Sequence, residues 1–175
     1  MSELEANADA ETPLPTAPET LLARLDALGI NYRCVTHPPV FTVEEAKALR
    51  GELPGSHIKN LFLRNKKGRM WLVTCLEDRD VDLKALGARL EAGRFSFGSA
   101  ERLMTYLGVR PGAVTPFAVI NDKAGAVTMV LDSGVLGAGP VNCHPLVNTM
   151  TTALAPDDLL RFLEAEGHAP LMLEL

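Results

Sequence analysis

The chain has 175 residues, 47% of them hydrophobic and 5% aromatic, which is enough for one domain with a core of Leu, Val, Ala and Met and too few for two. A formal charge of −5 argues against a long duplex footprint; three cysteines without CxxC spacing argue against a zinc site or a disulfide framework, and no apolar run reaches membrane-spanning length. The N-terminus lacks a basic stretch followed by an apolar one, so it does not read as a secretory signal, and a cytoplasmic location is expected.

In chain order, residues 1–17 are acidic and rich in Ala, Pro, Glu and Thr, and they read as a flexible tail ahead of a single domain spanning 18–175. Thr16-Ala17-Pro18-Glu19 has the spacing of a capping box, and Leu21, Leu22, Leu25 and Leu28 predict an apolar helix stripe that stops at Gly29. Tyr32–Val35 reads as a strand, and Thr42 with Glu45 caps a second helix closed near Gly51. Ser56 to Arg64 and Met70 to Leu76 form a hairpin across Asn65-Lys66-Lys67-Gly68. Both arms are largely apolar, which predicts a central place in a covered sheet.

A helix is expected from about Asp80 to Leu90, a short strand at Phe95 and Phe97, and a helix capped by Ser99 that ends at Gly108. Phe117–Ile120 and Ala126–Leu131 suggest a second hairpin, residues 133–140 a Gly-rich loop, and 141–154 two short strands. A last helix from Asp157 to Glu166 and a strand from Leu171 to Leu175 complete an α+β domain. Its central sheet is mixed, partly antiparallel and flanked by helices.

Charge is unevenly spread. Both ends are acidic, and residues 21–154 hold 16 bases against 12 acids. Arg64, Lys66, Lys67 and Arg69 cluster at one turn, which suits light contact with a nucleic-acid end or, equally, a solvated hairpin tip. No helix carries several bases on one face, which disfavours duplex DNA.

Two stretches hold residues that could carry chemistry. In the strand from Ser56, Lys59 shares a face with Leu61 and Leu63, whereas Asn60 shares the other with Ile58 and Phe62. An ammonium beside leucines either reaches solvent along its stem or waits on a pocket floor for a carbonyl or phosphate oxygen. The second stretch runs from Gly139 to Thr149, where alternation puts Asn142 and His144 on one face, able to point into one cavity. Neutral amides and an imidazole suit esters, hydroxyls and water, but the same residues can also satisfy loop backbone. Cys143 and His144 point to opposite faces, which makes a poor thiol–imidazole dyad. No nucleophile elbow, phosphate loop or short-range metal-ligand pair is found. What remains is a site that orients water and stabilises charge.

Lys59-Asn60-Leu61-Phe62-Leu63, then Gly112-Ala113-Val114-Thr115-Pro116, then Asn142-Cys143-His144-Pro145 and Asn148-Thr149 resemble, in order and spacing, the prolyl-tRNA editing domain family. Within it the chain looks like the free-standing bacterial deacylases that clear alanine from mischarged tRNA(Pro). The resemblance implies Lys59 as the essential lysine, Gly112 and Pro116 as the ends of a GxxxP loop, and His144 as the pocket histidine of the alanine-specific branch. Asn60, Asn142 and Asn148 follow as substrate-binding residues. It implies no metal and no cofactor, and as partners the acceptor end of aminoacylated tRNA(Pro), with prolyl-tRNA synthetase or an elongation factor for delivery. Two other readings stay open: a deacylase for Cys- or Ser-tRNA(Pro), and a non-catalytic module that binds tRNA or the synthetase.

Overall fold

The computed structural model describes residues 13–39, 45, 48, 53–137 and 139–175. The acidic stretch before residue 13 and most of the helix expected after Thr42 lie outside the described residues. Eight strands form one mixed sheet: β1 (Tyr32–Thr36), β2 (Ser56–Arg64), β3 (Met70–Leu76), β4 (Ser96–Phe97), β5 (Val127–Asp132), β6 (Val141–Cys143), β7 (Met150–Leu154) and β8 (Leu171–Leu173). Their spatial order is β1-β7-β6-β2-β3-β5-β8, with β4 added to β2. The β1–β7, β6–β7, β2–β3 and β2–β4 pairs are antiparallel; β2–β6, β3–β5 and β5–β8 are parallel. This is the α+β architecture with a mixed sheet that the sequence predicts.

Helices cover both faces. One face carries α1 (Pro18–Ala27), α3 (Ala100–Leu107) and α4 (Pro156–Ala165), whose Leu21, Leu25, Leu107, Leu159 and Phe162 pack on Phe62, Leu72 and Leu131. The other carries α2 (Leu83–Arg89), with Leu86 against Leu63, Trp71, Val73 and Val130. The division of β2 between these two cores follows its alternation, Phe62 to one side and Leu63 to the other. Trp71 stacks edge-on against Phe95 at 5.1 Å.

Three local expectations change. Phe117–Ile120 is not a hairpin arm: Pro116 opens a 3-10 helix (Pro116–Asn121) whose first turn is capped by the Thr115 hydroxyl, and β5 runs parallel to β3 instead. A four-residue apolar run cannot distinguish a buried strand from a buried turn of helix, and here Pro and Thr decide. The Gly-rich stretch likewise contains a 3-10 helix at Ser133–Gly137. At α1, Ala17 is the N-cap and no side chain caps it, because the Thr16 hydroxyl donates instead to Asn121 Oδ1 at 2.6 Å.

Candidate active site

β2 is paired with β3 from Ile58 to Arg64, but its other edge is interrupted. β6 meets it only at Ser56 and His57, and β4 only at Leu63 and Arg64. Between those contacts the edge from Ile58 to Leu61 has no strand partner among the described residues, and an unpaired edge in mid-sheet is a place where backbone and side chains can meet a ligand. Lys59 and Asn60 lie in this interval, pointing to opposite faces.

Asn60 ties the interval to the GxxxP loop. Its Nδ2 donates to the Val114 carbonyl at 3.1 Å, and its Oδ1 accepts from the Thr74 hydroxyl on β3 at 2.6 Å. The amide is thus oriented by both neighbours. Gly112 holds φ +87°, a left-handed conformation that favours glycine, and a β carbon there would lie 3.6 Å from Asn148 Nδ2. The structure therefore brings Asn60, the 112–116 loop and Asn148 together. Pro116 is buried as the first residue of its 3-10 helix and fixes the end of that loop.

Lys59 is half-buried, and its ammonium donates to the Arg79 carbonyl in the segment after β3. Across the β2–β3 pair it is opposite Cys75, whose thiol pKa is raised, mainly by burial, with the Lys59 charge acting against that. Arg79 Nε lies 3.4 Å from Asp132 Oδ2 at the end of β5. Asp132 is fully buried, and its Oδ1 accepts from the Gly134 and Leu175 N–H groups. Sequence reasoning misses Arg79 and Asp132. The one signal available was a carboxylate closing an apolar strand, and its link to Lys59 exists only through the order β2-β3-β5.

His144 follows the end of β6. Its Nδ1 lies 2.8 Å from the Met150 carbonyl, so Nδ1 carries the proton and Nε2 presents a lone pair. Burial lowers its pKa below the ordinary imidazole value; the Met150 bond opposes this, and His37 adds to the lowering. The two rings are 6.2 Å apart. His37 is itself fixed, Nδ1–H donating to the Pro38 carbonyl at 2.8 Å and Nε2 accepting from the Thr151 hydroxyl at 2.7 Å. In the sequence, its place before Pro38-Pro39 reads as a turn or pocket-wall position.

Among the described cavities, none is lined by Asn142 and His144 together. Asn142 Nδ2 donates to the Pro54 and Ser56 carbonyls at 3.1 and 3.0 Å, stitching β6 to the chain that enters β2. It borders a cavity of about 500 Å³ walled by β1, β7 and Pro140, and His144 is not among the described walls. The reason is that β6 stops at Cys143, so strand alternation ends before His144. Cys143 is wholly buried with its thiol pKa pushed far up, which leaves no thiolate to act as a nucleophile.

Comparison with known proteins bears on this arrangement. Residues 37–162 match a family model described as an aminoacyl-tRNA editing domain. The chain is 39% identical over 160 residues to the prolyl-tRNA editing protein ProX of Acetoanaerobium sticklandii, covering 91% of this chain and 98% of that one. It is 42% identical over 155 residues to the prolyl-tRNA synthetase associated domain-containing protein 1 of Mus musculus, covering 86% of this chain and 91% of the relative. Among solved structures, hypothetical protein APE2540 superposes with a TM-score of 0.70 at 21% identity, over 88% of this chain and 97% of that one. A candidate trans-editing enzyme for prolyl tRNA synthetase superposes at 0.69 and 22%, over 93% and 98%, and these two likenesses show the shared fold.

Proposed function

Because this chain belongs to the aminoacyl-tRNA editing domain family, whose members are aminoacyl-tRNA deacylases, we propose that it removes alanine from mischarged tRNA(Pro) in trans. The observation that carries the reading is the interrupted edge of β2, which presents Lys59 on one face and, on the other, Asn60 tied to the 112–116 loop beside Asn148. Such a break can receive the 3′ end of an aminoacyl-tRNA with its ester between a fixed cation and loop N–H groups. Prolyl-tRNA editing is the activity carried in the name of the Acetoanaerobium relative. Alanine as the substrate residue rests on the motif that contains His144.

Water adds to the ester carbonyl carbon, the carbonyl–ribose oxygen bond breaks, and alanine and tRNA separate. In this reading the Lys59 ammonium holds the acceptor-end phosphate or the oxygen on which charge develops, and the loop N–H groups complete that stabilisation. His144 Nε2, being unprotonated, accepts a hydrogen bond from the attacking water or from the alanine ammonium, while the free ribose hydroxyl of the terminal adenosine relays a proton, taking one from the water as it passes its own to the departing ribose oxygen. Lys59 and His144 are thus positioning and electrostatic groups. The selective logic is that of a second sieve. A synthetase pocket built for proline rejects the smaller alanine by only about 1–3 kcal/mol, and a site that admits only the small residue restores accuracy.

Separately prepared Ala-, Cys-, Ser- and Pro-tRNA(Pro) test the reading. Rapid loss of alanine alone is expected; rapid loss of cysteine or serine instead would change the substrate, and binding of all four without hydrolysis would make the chain a tRNA-binding module. A pH profile tests the role of His144. Its neutral form is the working one, and its pKa is lowered, so activity holds above that pKa and is lost as pH falls through it. The acid limb of single-turnover hydrolysis should therefore fall below pH ~6.5, the unperturbed histidine value, and disappear in His144→Ala. A limb that persists in that variant would assign the titration to another group.

A further inference from the structure

The interrupted edge of β2 has a second frame besides β6. At its far end β4 pairs through Leu63 with Phe97 and Arg64 with Ser96, and the Gly98 N–H donates to the Phe62 carbonyl at 2.9 Å. Gly98 permits this close seating, since a β carbon there would meet the Phe62 ring at 2.4 Å. Phe97, Leu63 and Trp71 form one cross-strand row, in which Leu63 and Trp71 are buried whereas Phe97 is 64% exposed. Phe95, two residues earlier, is covered by Trp71. Phe97 has passed beyond that cover and presents its ring to solvent at the lip of the interval that holds Lys59.

Cations lie close to this residue along the chain and the ladder. Arg64 stands opposite Ser96, the residue before Phe97, Arg94 lies three residues before Phe97, and Lys66, Lys67 and Arg69 occupy the adjoining β2–β3 turn. None of these five is paired with a carboxylate among the described ion pairs. The Arg69 guanidinium lies over the Trp71 ring at 5.1 Å, held at the surface as a planar cation. An exposed aromatic face bordered by unpaired cations is the combination that binds single-stranded nucleic acid: bases stack on the ring and the cations neutralise phosphates. Among the described residues, the other large apolar side chains that reach solvent, Leu171 and Met172 on β8, lack an aromatic ring.

We propose that Phe97 is a stacking platform for an unpaired base of the tRNA 3′ end, and that the Arg64–Arg69 turn with Arg94 receives the phosphates leading into the acceptor stem. The proposal rests on the deacylase reading for its choice of RNA and deepens it by giving the strand a direction. Lys59 and Leu63 are four residues apart on one strand, about 13 Å, the length of roughly four stacked nucleotides at ~3.4 Å each. An ester held at Lys59 thus places the bases upstream of the terminal adenosine at Phe97 and the first paired phosphates at the basic turn.

The test uses an uncharged RNA hairpin with an unpaired 3′ NCCA end and the same hairpin with a blunt end, each titrated by fluorescence anisotropy over a salt series. Phe97→Ala should weaken binding of the unpaired-end hairpin about tenfold and leave the blunt one unchanged, with Phe97→Trp restoring affinity. Arg64→Ala with Arg69→Ala should flatten the slope of log K against log salt by about 1.5–2 for both hairpins. Wild-type affinity in Phe97→Ala, or equal loss on both hairpins, would overturn the platform. Because the probe carries no amino acid, the binding result is independent of hydrolysis. Phe97-dependent binding without deacylation of any aminoacyl-tRNA sinks the enzyme reading alone, and deacylation with Phe97-independent binding sinks the platform alone.

Discussion

Alanine in place of Lys59 should lower single-turnover hydrolysis of Ala-tRNA(Pro) by about 10²–10³-fold, the effect of deleting one preorganised charge-stabilising donor. The fold should survive, because Lys59 is half-buried and β2 is held by its neighbours: Phe62 and Leu63 are buried in opposite cores, and the β3 pairing runs from Ile58 to Arg64. The Arg79 carbonyl that loses its donor lies where the side chains are only partly buried, within reach of water. Lys59→Arg should fail to rescue, since a planar fork on a longer side chain cannot replace a point ammonium at the same carbonyl. Quenched time courses with unchanged thermal melting would establish the lysine as part of the site. Hydrolysis by Lys59→Ala near the wild-type rate would remove it.

Asp122→Ala should produce the largest loss of stability, about 3–5 kcal/mol, because it strands a buried partner. Asp122 is 4% exposed; its Oδ2 lies 2.9 Å from His168 Nε2 and accepts from the Val127 N–H, and its Oδ1 accepts from the Ala126 N–H. His168 is also buried, with its other nitrogen on the Glu166 carbonyl at 3.0 Å. One carboxylate therefore joins the end of the 3-10 helix, the start of β5 and the turn after α4. The midpoint of thermal unfolding should fall by about 10 °C. A shift of a degree or two would mean that water replaces the pair. None of these groups touches the β2 edge, so folded variant protein should retain deacylation.

The sequence was most informative where one element carried its own signal. The β2–β3 hairpin was legible because two apolar strands flank Asn65-Lys66-Lys67-Gly68, and α3 because Ser99 and Gly108 bracket it; both appear at those boundaries. Phe117–Ile120 was misread because burial on all sides erases periodicity, which left Pro116 and Thr115 as the only local evidence for a helical turn. Thr16 was misassigned as a cap because its partner, Asn121, is 105 residues away. The site divides in the same manner. Lys59, Asn60 and the GxxxP loop belong to motifs whose spacing is visible, whereas Arg79, Asp132 and His37 act through carbonyls and neighbours that only the strand order supplies.

That strand order also governs when the protein becomes competent during its synthesis. β2 can zip to β3 as soon as both leave the ribosome, and β4 can seat on its far end soon after, but the strand that frames the near end of its other edge begins at Val141, and β1 must await β7 at Met150–Leu154. At ordinary translation speeds the delay between Ser56 and Val141 is roughly 4–17 s. Through that time the outer edge of β2 is offered to any other nascent strand, with Ile58, Leu61 and Phe62 ready to template it. Lys59 and Asn60 interrupt that apolar row with a charge and an amide, which disfavours pairing with a neighbour. The residues that make the edge useful in the finished protein thus also protect it before the molecule is complete.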